Sequence, residues 1–190
     1  MKTANNYKNG VSKTLDTLVR NKSLRTIFFS WYRYFNHILL AILNFTPPPI
    51  RSLFLRFTLS NFGKSSFIDL NFTFRYPKKI WIGEKVEINQ DCKFYPSYLI
   101  GDGDIVIEDN VIIGPGVTLI CAGQDSNPIT RYDVGGKIII KSGAYIGANS
   151  TIRYGVTIGE GSTVAAGSIV VKSVAAKSIV GGCPAKVIKI

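Results

Sequence analysis

Between Ile140 and Val170 the chain sets a branched aliphatic residue at every sixth position: Ile140, Ile146, Ile152, Ile158, Val164 and Val170. A small residue stands two places before most of them, at Ala144, Ser150, Ser162 and Ser168, and glycine follows two of them, at Gly147 and Gly159. Neither a helix nor an ordinary strand repeats every six residues. The period predicts a hexapeptide β-helix, in which each repeat forms one flat side of a coil. The aliphatic side chain points inward and stacks on its equivalent one coil away, while the small residue lets the chain turn a corner. No single coil buries its own apolar face, so several must stack. The period recurs upstream at Ile82, Ile88, Phe94 and Ile100, then at Ile107, Ile113 and Leu119. The seven-residue step from Ile100 to Ile107 reads as one residue inserted at a corner.

Charge divides the chain in two. Residues 1–65 carry ten Lys or Arg and a single acid, Asp16, whereas the rest carries thirteen basic and eleven acidic groups. A basic, apolar arm over 1–65 is therefore expected to precede a nearly neutral β-helix over 66–190. The arm reads as helical from residue 10 to about 62, broken at Pro47-Pro48-Pro49. Its stretch IFFSWYRYFNHILLAILNF, Ile27 to Phe45, has the length to cross a bilayer, but Arg33, Asn36 and His37 interrupt it. Two readings stay open: a helix lying in the interface of an anionic membrane, or one packed on the β-helix or a neighbouring subunit. Basic residues interleaved with so apolar a pattern argue against nucleic acid as the partner.

With one histidine, His37, and no cluster at ligand spacing, no metal is expected. Cys92, Cys121 and Cys183 form no CxxC and no even-numbered framework, and read as buried small hydrophobes. The start MKTANNYKNG lacks the apolar segment of a secretion signal. The expected location is cytoplasmic, with peripheral contact at the cytoplasmic membrane face if the arm binds lipid.

The period breaks between Leu119 and Lys137. The intervening ICAGQDSNPITRYDVGG is rich in Gly, Asn, Asp and Pro, and reads as a loop over 120–136 thrown out of the coil. A long loop on a rigid scaffold is where function is expected. Three segments then carry a resemblance: IGPGVTLICAGQD, GGKIIIKSGAYIGANSTIRYGVTIGEGSTVAAGSIVVKSV and SIVGGCPAKVIKI. Together they resemble the hexapeptide-repeat acyltransferases, most closely the sugar O-acetyltransferases that decorate surface polysaccharides. That resemblance implies a left-handed parallel β-helix and a homotrimer with acetyl-CoA, the donor, in the groove between subunits. It also implies an acceptor saccharide entering beside the loop, and the basic, apolar arm allows that saccharide to be lipid-linked.

Carried over by position, Asn89 in VEINQDC matches an acceptor-facing asparagine. Tyr145, Ala148, Ala166 and Gly167 match positions along the pantetheine arm, and Lys172 and Lys186 match basic residues that meet the CoA phosphates. Ala166 and Gly167 read equally well as corner residues, and Lys172 and Lys186 as solvated charges. The chain departs from the family at the loop. Where a catalytic histidine is usual it has Gln124, within Cys121-Ala122-Gly123-Gln124-Asp125. A second departure is Cys183, where the family has asparagine.

A glutamine amide hydrogen-bonds but does not accept a proton near neutral pH. Three readings follow from Gln124. The first is an O-acetyltransferase whose base is another loop group, Asp125 or Asp133. The second is an amino-sugar N-acetyltransferase, whose partly unprotonated amine needs no histidine. The third is a non-catalytic scaffold.

Overall fold

The structure is a computed structural model that describes residues 22–98, 102–125 and 133–189. Helix α1 spans Lys22–Phe45 and α2 spans Pro48–Thr58. The expected break falls between them: Pro47 precedes α2 and Pro48 occupies its first turn, where a missing N–H costs nothing. The helical expectation for residues 10–21 lies outside the described residues.

From Asn61 the chain winds into coils of three short strands. The first coil holds β1 (Asn61–Phe62), β2 (Phe67–Ile68) and β3 (Thr73–Phe74), and the second β4 (Ile80–Ile82), β5 (Glu87–Ile88) and β6 (Lys93–Tyr95). The third holds β7 (Ile105–Ile107), β8 (Ile112–Ile113) and β9 (Thr118–Ile120). A ribbon of β10 (Ala122–Gln124) and β11 (Asp133–Gly135) interrupts the winding. The fourth coil holds β12 (Ile138–Ile140), β13 (Tyr145–Ile146) and β14 (Thr151–Arg153), and the fifth β15 (Thr157–Ile158), β16 (Thr163–Val164) and β17 (Ile169–Val170). β18 (Ile179–Gly182) adds one more rung, and β19 (Ala185–Lys189) folds back antiparallel upon it.

Strands of successive coils pair in parallel, giving three sheets: β1-β4-β7-β12-β15, β2-β5-β8-β13-β16-β18-β19 and β3-β6-β9-β14-β17. This is the left-handed parallel β-helix shared with its structural neighbours. Register explains why the aliphatic period exists. Ile107 pairs with Ile140 and Ile140 with Ile158, while Ile113 pairs with Ile146 and Leu119 with Ile152. Each rung residue therefore stacks on the next, and all seven are fully buried.

The three edges of the prism are set by backbone conformation. At the edge between the first and second sheets, Ser65, Lys85, Asn110, Gly143, Gly161 and Lys177 have positive φ. At the edge between the second and third sheets, Asn71, Asp91, Gly116, Asn149 and Gly167 do. Left-handed residues in column turn each coil in the same place. The small residues beside them are buried, and their hydroxyls cap the corner: Ser162 donates to the Gly159 carbonyl at 2.7 Å and Ser178 to the Ala175 carbonyl at 2.7 Å. Cys92 fills the equivalent inner corner between Phe72 and Val117, which is why a small apolar side chain stands there.

Two sequence expectations are corrected. Ile82 pairs directly with Ile107, so the rung that follows Phe94 is Ile107 and not Ile100. The insertion is thus an excursion of about seven residues beyond Tyr95, closed by an antiparallel bridge between Ser97 and Gly103, and not one residue at a corner. Ile100 itself lies outside the described residues. The boundary at 65/66 also moves. The coil begins at Asn61, and the chain's contacts divide it between Leu43 and Asn44. The physical reason is α2, which packs against β1 through a buried Leu55 and leads directly into a buried Leu59. In contact terms α2 belongs to the coil and not to the arm.

Candidate functional site

The edge between the third and first sheets carries most of what projects from the coil. The excursion after Tyr95 leaves there, and so does the ribbon one coil later. The two brace each other. Cys121 Sγ donates to the Asp104 carbonyl at 3.4 Å, and the Ile138 N–H reaches the same carbonyl at 2.9 Å. Lys79 pairs with Asp104 at 2.8 Å, and Lys137 with Asp102 at 3.1 Å. The expected loop over 120–136 is therefore a tethered antiparallel ribbon at both of its roots, with residues 126–132 outside the described residues.

Ribbon register joins two of the predicted site residues. Gln124 is the cross-strand partner of Asp133, Gly123 of Val134 and Ala122 of Gly135. Directly opposed residues put their side chains on one face, about 5 Å apart at Cβ. Both Gln124 and Asp133 are exposed. Asp125 lies one residue past the end of β10 and is half-buried. The amide of Gln124 thus shares a ribbon face with the acid more distant in sequence, Asp133.

One coil above, Tyr154 lies against the ribbon. A Cβ at Gly123 would come within 2.9 Å of its ring. Arg153 sits 4.2 Å above the same ring, and its guanidinium donates to the Tyr154 hydroxyl. Sequence reasoning passed over this pair. Its signal was the position: Arg153 points outward beside the inward Ile152, in the coil that resumes after the ribbon.

Four of the other predicted residues align on a different edge, between the second and third sheets. Asn89, Ala148, Ala166 and Gly167 stand at corners of the second, fourth and fifth coils. The Gly167 N–H donates to the Ala148 carbonyl at 2.8 Å, which joins consecutive corners. Gly167 has φ +69°, a conformation that glycine adopts without strain, so the corner reading accounts for its identity. Asn89 is half-buried, and its side-chain amide donates to the Ile113 carbonyl at 2.9 Å. Asn61, on the first sheet, makes a comparable bond to the Ile82 carbonyl at 2.7 Å, so an amide in this role also serves the coil alone.

The remaining residues fall elsewhere. Tyr145 projects from the outer face of the second sheet between Ile112 and Thr163. Lys186 lies on β19 opposite Gly181 at the end of that sheet, and Lys172 lies on the ribbon's edge, two coils beyond it. Within one chain, then, the small-residue edge and the ribbon are separated by the width of the third sheet. A side of about six residues spans on the order of 20 Å at ~3.3 Å per residue.

Burial governs the thiols. It pushes Cys92 up to about 11 and Cys121 up to about 12, so neither supplies a thiolate near neutral pH, although Cys121 roots the ribbon. Cys183 departs from the expectation of burial: it is exposed in the turn before β19. Iodoacetamide at neutral pH should therefore alkylate Cys183 alone in the folded protein, and all three cysteines after denaturation. Peptide mass spectrometry that found Cys121 modified in the native state would contradict this packing. At Glu108, burial opposes ionisation, but the Lys141 ammonium at 2.6 Å and the Ser142 N–H at 3.2 Å outweigh it and hold the carboxyl below its usual range. That cluster ties the third coil to the fourth. Among the described residues no group of three or more His, Cys, Asp or Glu is placed to hold a metal.

Comparison with known proteins places this architecture. Residues 137–172 match the family described as bacterial transferase hexapeptide (six repeats). The galactoside O-acetyltransferase of Escherichia coli (strain K12) is 30% identical over 130 residues, covering 67% of this chain and 62% of that protein. A 2,3,4,5-tetrahydropyridine-2,6-dicarboxylate N-acetyltransferase of Staphylococcus aureus (strain JH9) is 44% identical over 80 residues, 42% of this chain and 30% of that one. The chain thus spans less than two thirds of the length of these curated relatives. Among solved structures, a hexapeptide-repeat-containing acetyltransferase from Vibrio cholerae O1 biovar eltor, complexed with acetyl coenzyme A, superposes with a TM-score of 0.74 at 27% identity. That match covers 84% of this chain and 87% of the other.

Proposed function

The chain belongs to the hexapeptide-repeat transferases, and on that premise we propose that it transfers an acetyl group from acetyl-CoA to a saccharide hydroxyl, in the assembly of a surface polysaccharide or glycolipid. The likeness to the acetyl-CoA-bound Vibrio cholerae protein, which runs through nearly the whole coil, carries this reading. The galactoside O-acetyltransferase likeness supports a sugar hydroxyl as acceptor.

The working unit in this proposal is a homotrimer. The corner edge with Asn89, Ala148, Ala166 and Gly167 would face a neighbouring subunit's ribbon across a groove. That arrangement accounts for site residues that one chain keeps on separate edges. Tyr145 would flank the pantetheine arm, and Lys172 and Lys186 would meet the phosphates. Small side chains along the edge let the arm approach the backbone closely. Catalysis would rest on holding thioester and hydroxyl together, with backbone N–H groups receiving the developing oxyanion.

Proton removal falls to the ribbon. Gln124 orients the acceptor and its opposed Asp133, and the Asp133 carboxylate takes the hydroxyl proton. Asp125, which lies past the end of the ribbon ladder, is the weaker candidate.

A second reading is supported by Gln124 itself: transfer to an amino sugar, whose amine supplies its own lone pair. The experiment is coenzyme A release with paired acceptors, one a methyl glycoside and one its amino analogue, measured across pH. Hydroxyl transfer supports the first reading. A rate confined to the amine, rising through the amine's own pKa, replaces it with the second. Release with neither acceptor leaves a scaffold.

A further inference from the structure

Helix α1 carries a row of large apolar side chains outward, while Leu40 and Leu43 are buried. Ile27, Trp31, Phe35, Ile38, Ile42 and Phe45 recur at three- and four-residue steps, so they form one stripe along the helix. The exposure is large where the rings are largest: 58% for Trp31, 61% for Phe35 and 91% for Phe45. Trp31 and Phe35 stack with centroids 5.7 Å apart, and Tyr34 meets Trp31 edge-on at 6.0 Å. This is a ledge of rings with polar N–H and O–H tips, the composition that favours a boundary between water and hydrocarbon. Arg33 and His37 are exposed off the stripe.

Charge identifies the occupant. Between Asp16 and Asp69 the chain has no acidic residue and seven Lys or Arg. An unbroken basic excess beside exposed aromatics complements anionic headgroups above an apolar phase. The same chemistry continues in α2, where Ile50, Leu53 and Phe57 are exposed with Arg56 among them. No helix among the described residues is long and apolar enough to cross a membrane, so the geometry available to α1 is to lie in the interface.

We propose that α1 docks along its exposed aromatic stripe on the surface of an anionic lipid bilayer. This stands apart from the acyl-transfer reading, since it involves neither donor nor acceptor. If both hold, the enzyme works where lipid-linked saccharides are presented.

The test is co-sedimentation of the full-length protein with vesicles of phosphatidylcholine alone and with vesicles that also contain phosphatidylglycerol, at about 0.1 M salt, where charges are screened over roughly 10 Å. The protein should partition into the anionic vesicles and little into the neutral ones, and lose binding as salt rises. Trp31→Glu and Phe35→Glu should each weaken partitioning about tenfold or more, and Arg33→Gln about fivefold. In a Trp81→Phe background, Trp31 is the one remaining tryptophan. Its emission should shift to the blue with anionic vesicles and be quenched by lipid labelled near the headgroup. Lipid-free melting curves check that the variants fold. Failure to bind anionic vesicles, or equal binding to neutral ones, would overturn the proposal. So would lipid-free self-association that Trp31→Glu abolishes, because the stripe would then be an interface between copies of the chain.

Discussion

Asp133→Asn should slow transfer to a hydroxyl acceptor by about 10²-fold or more, the range expected when a general base is lost. The same change at Asp125 should cost much less. The distinction comes from ribbon register: Gln124 is paired directly with Asp133, whereas Asp125 lies past the end of the ladder. In the converse experiment, Gln124→His should raise hydroxyl transfer, because imidazole accepts a proton near neutral pH and the glutamine amide does not. Steady-state kinetics with one hydroxyl acceptor decides both, and the effect should appear in kcat with KM little changed. Equal turnover in Asp133→Asn and the parent protein would remove Asp133 from the chemistry. A slower Gln124→His variant would mean that the amide's hydrogen bond matters more than a base at that position.

Leu119→Ala should destabilise the fold by about 2–5 kcal/mol, the cost of removing a large side chain from a core that cannot close over the gap. Leu119 is fully buried and stacks between Phe94 below and Ile152 above, so the cavity would sit in the middle of a continuous column. Parallel ladders on both sides fix the coil spacing and limit collapse. Denaturant unfolding measures the loss, with Lys172→Ala as the exposed control, expected within about 0.5 kcal/mol of the parent. A loss below about 1 kcal/mol for Leu119→Ala would contradict the stacked-rung account.

Much of this was readable in the chain because a solenoid writes its geometry into its period. From Ile107 to Leu119, and again from Ile140 to Val170, the rungs and corners follow from spacing alone. The failures have physical causes. Ile100 stands six residues after Phe94 and imitates a rung, yet the true next rung is Ile107, which pairs directly with Ile82 one coil below. The first coil was hidden by its own composition. Phe62, Ile68 and Phe74 keep the six-residue step, but with phenylalanine rungs they merge with the aromatic arm before them. Phe72, Phe74 and Phe94 pack ring on ring at this end, where the upper coils use Val and Ser.

The candidate site was legible in its members and not in its arrangement. Eight residues separate Gln124 from Asp133 in sequence, and only strand pairing makes them neighbours. Nor does a period reveal which edge a residue occupies relative to an insertion. That is why Lys172 and Ala148, both assigned to the donor, stand on different edges. Tyr154 and Arg153 went unnoticed because outward positions carry no periodic constraint.

The central claim is that this coil binds an acyl-CoA donor. Calorimetric titration of the purified protein with acetyl-CoA tests it most directly. Saturable micromolar binding at one site per subunit, weakened by Lys186→Ala and competed by coenzyme A, is the predicted result. No heat of binding up to millimolar donor, with the protein folded by its melting curve, would contradict it.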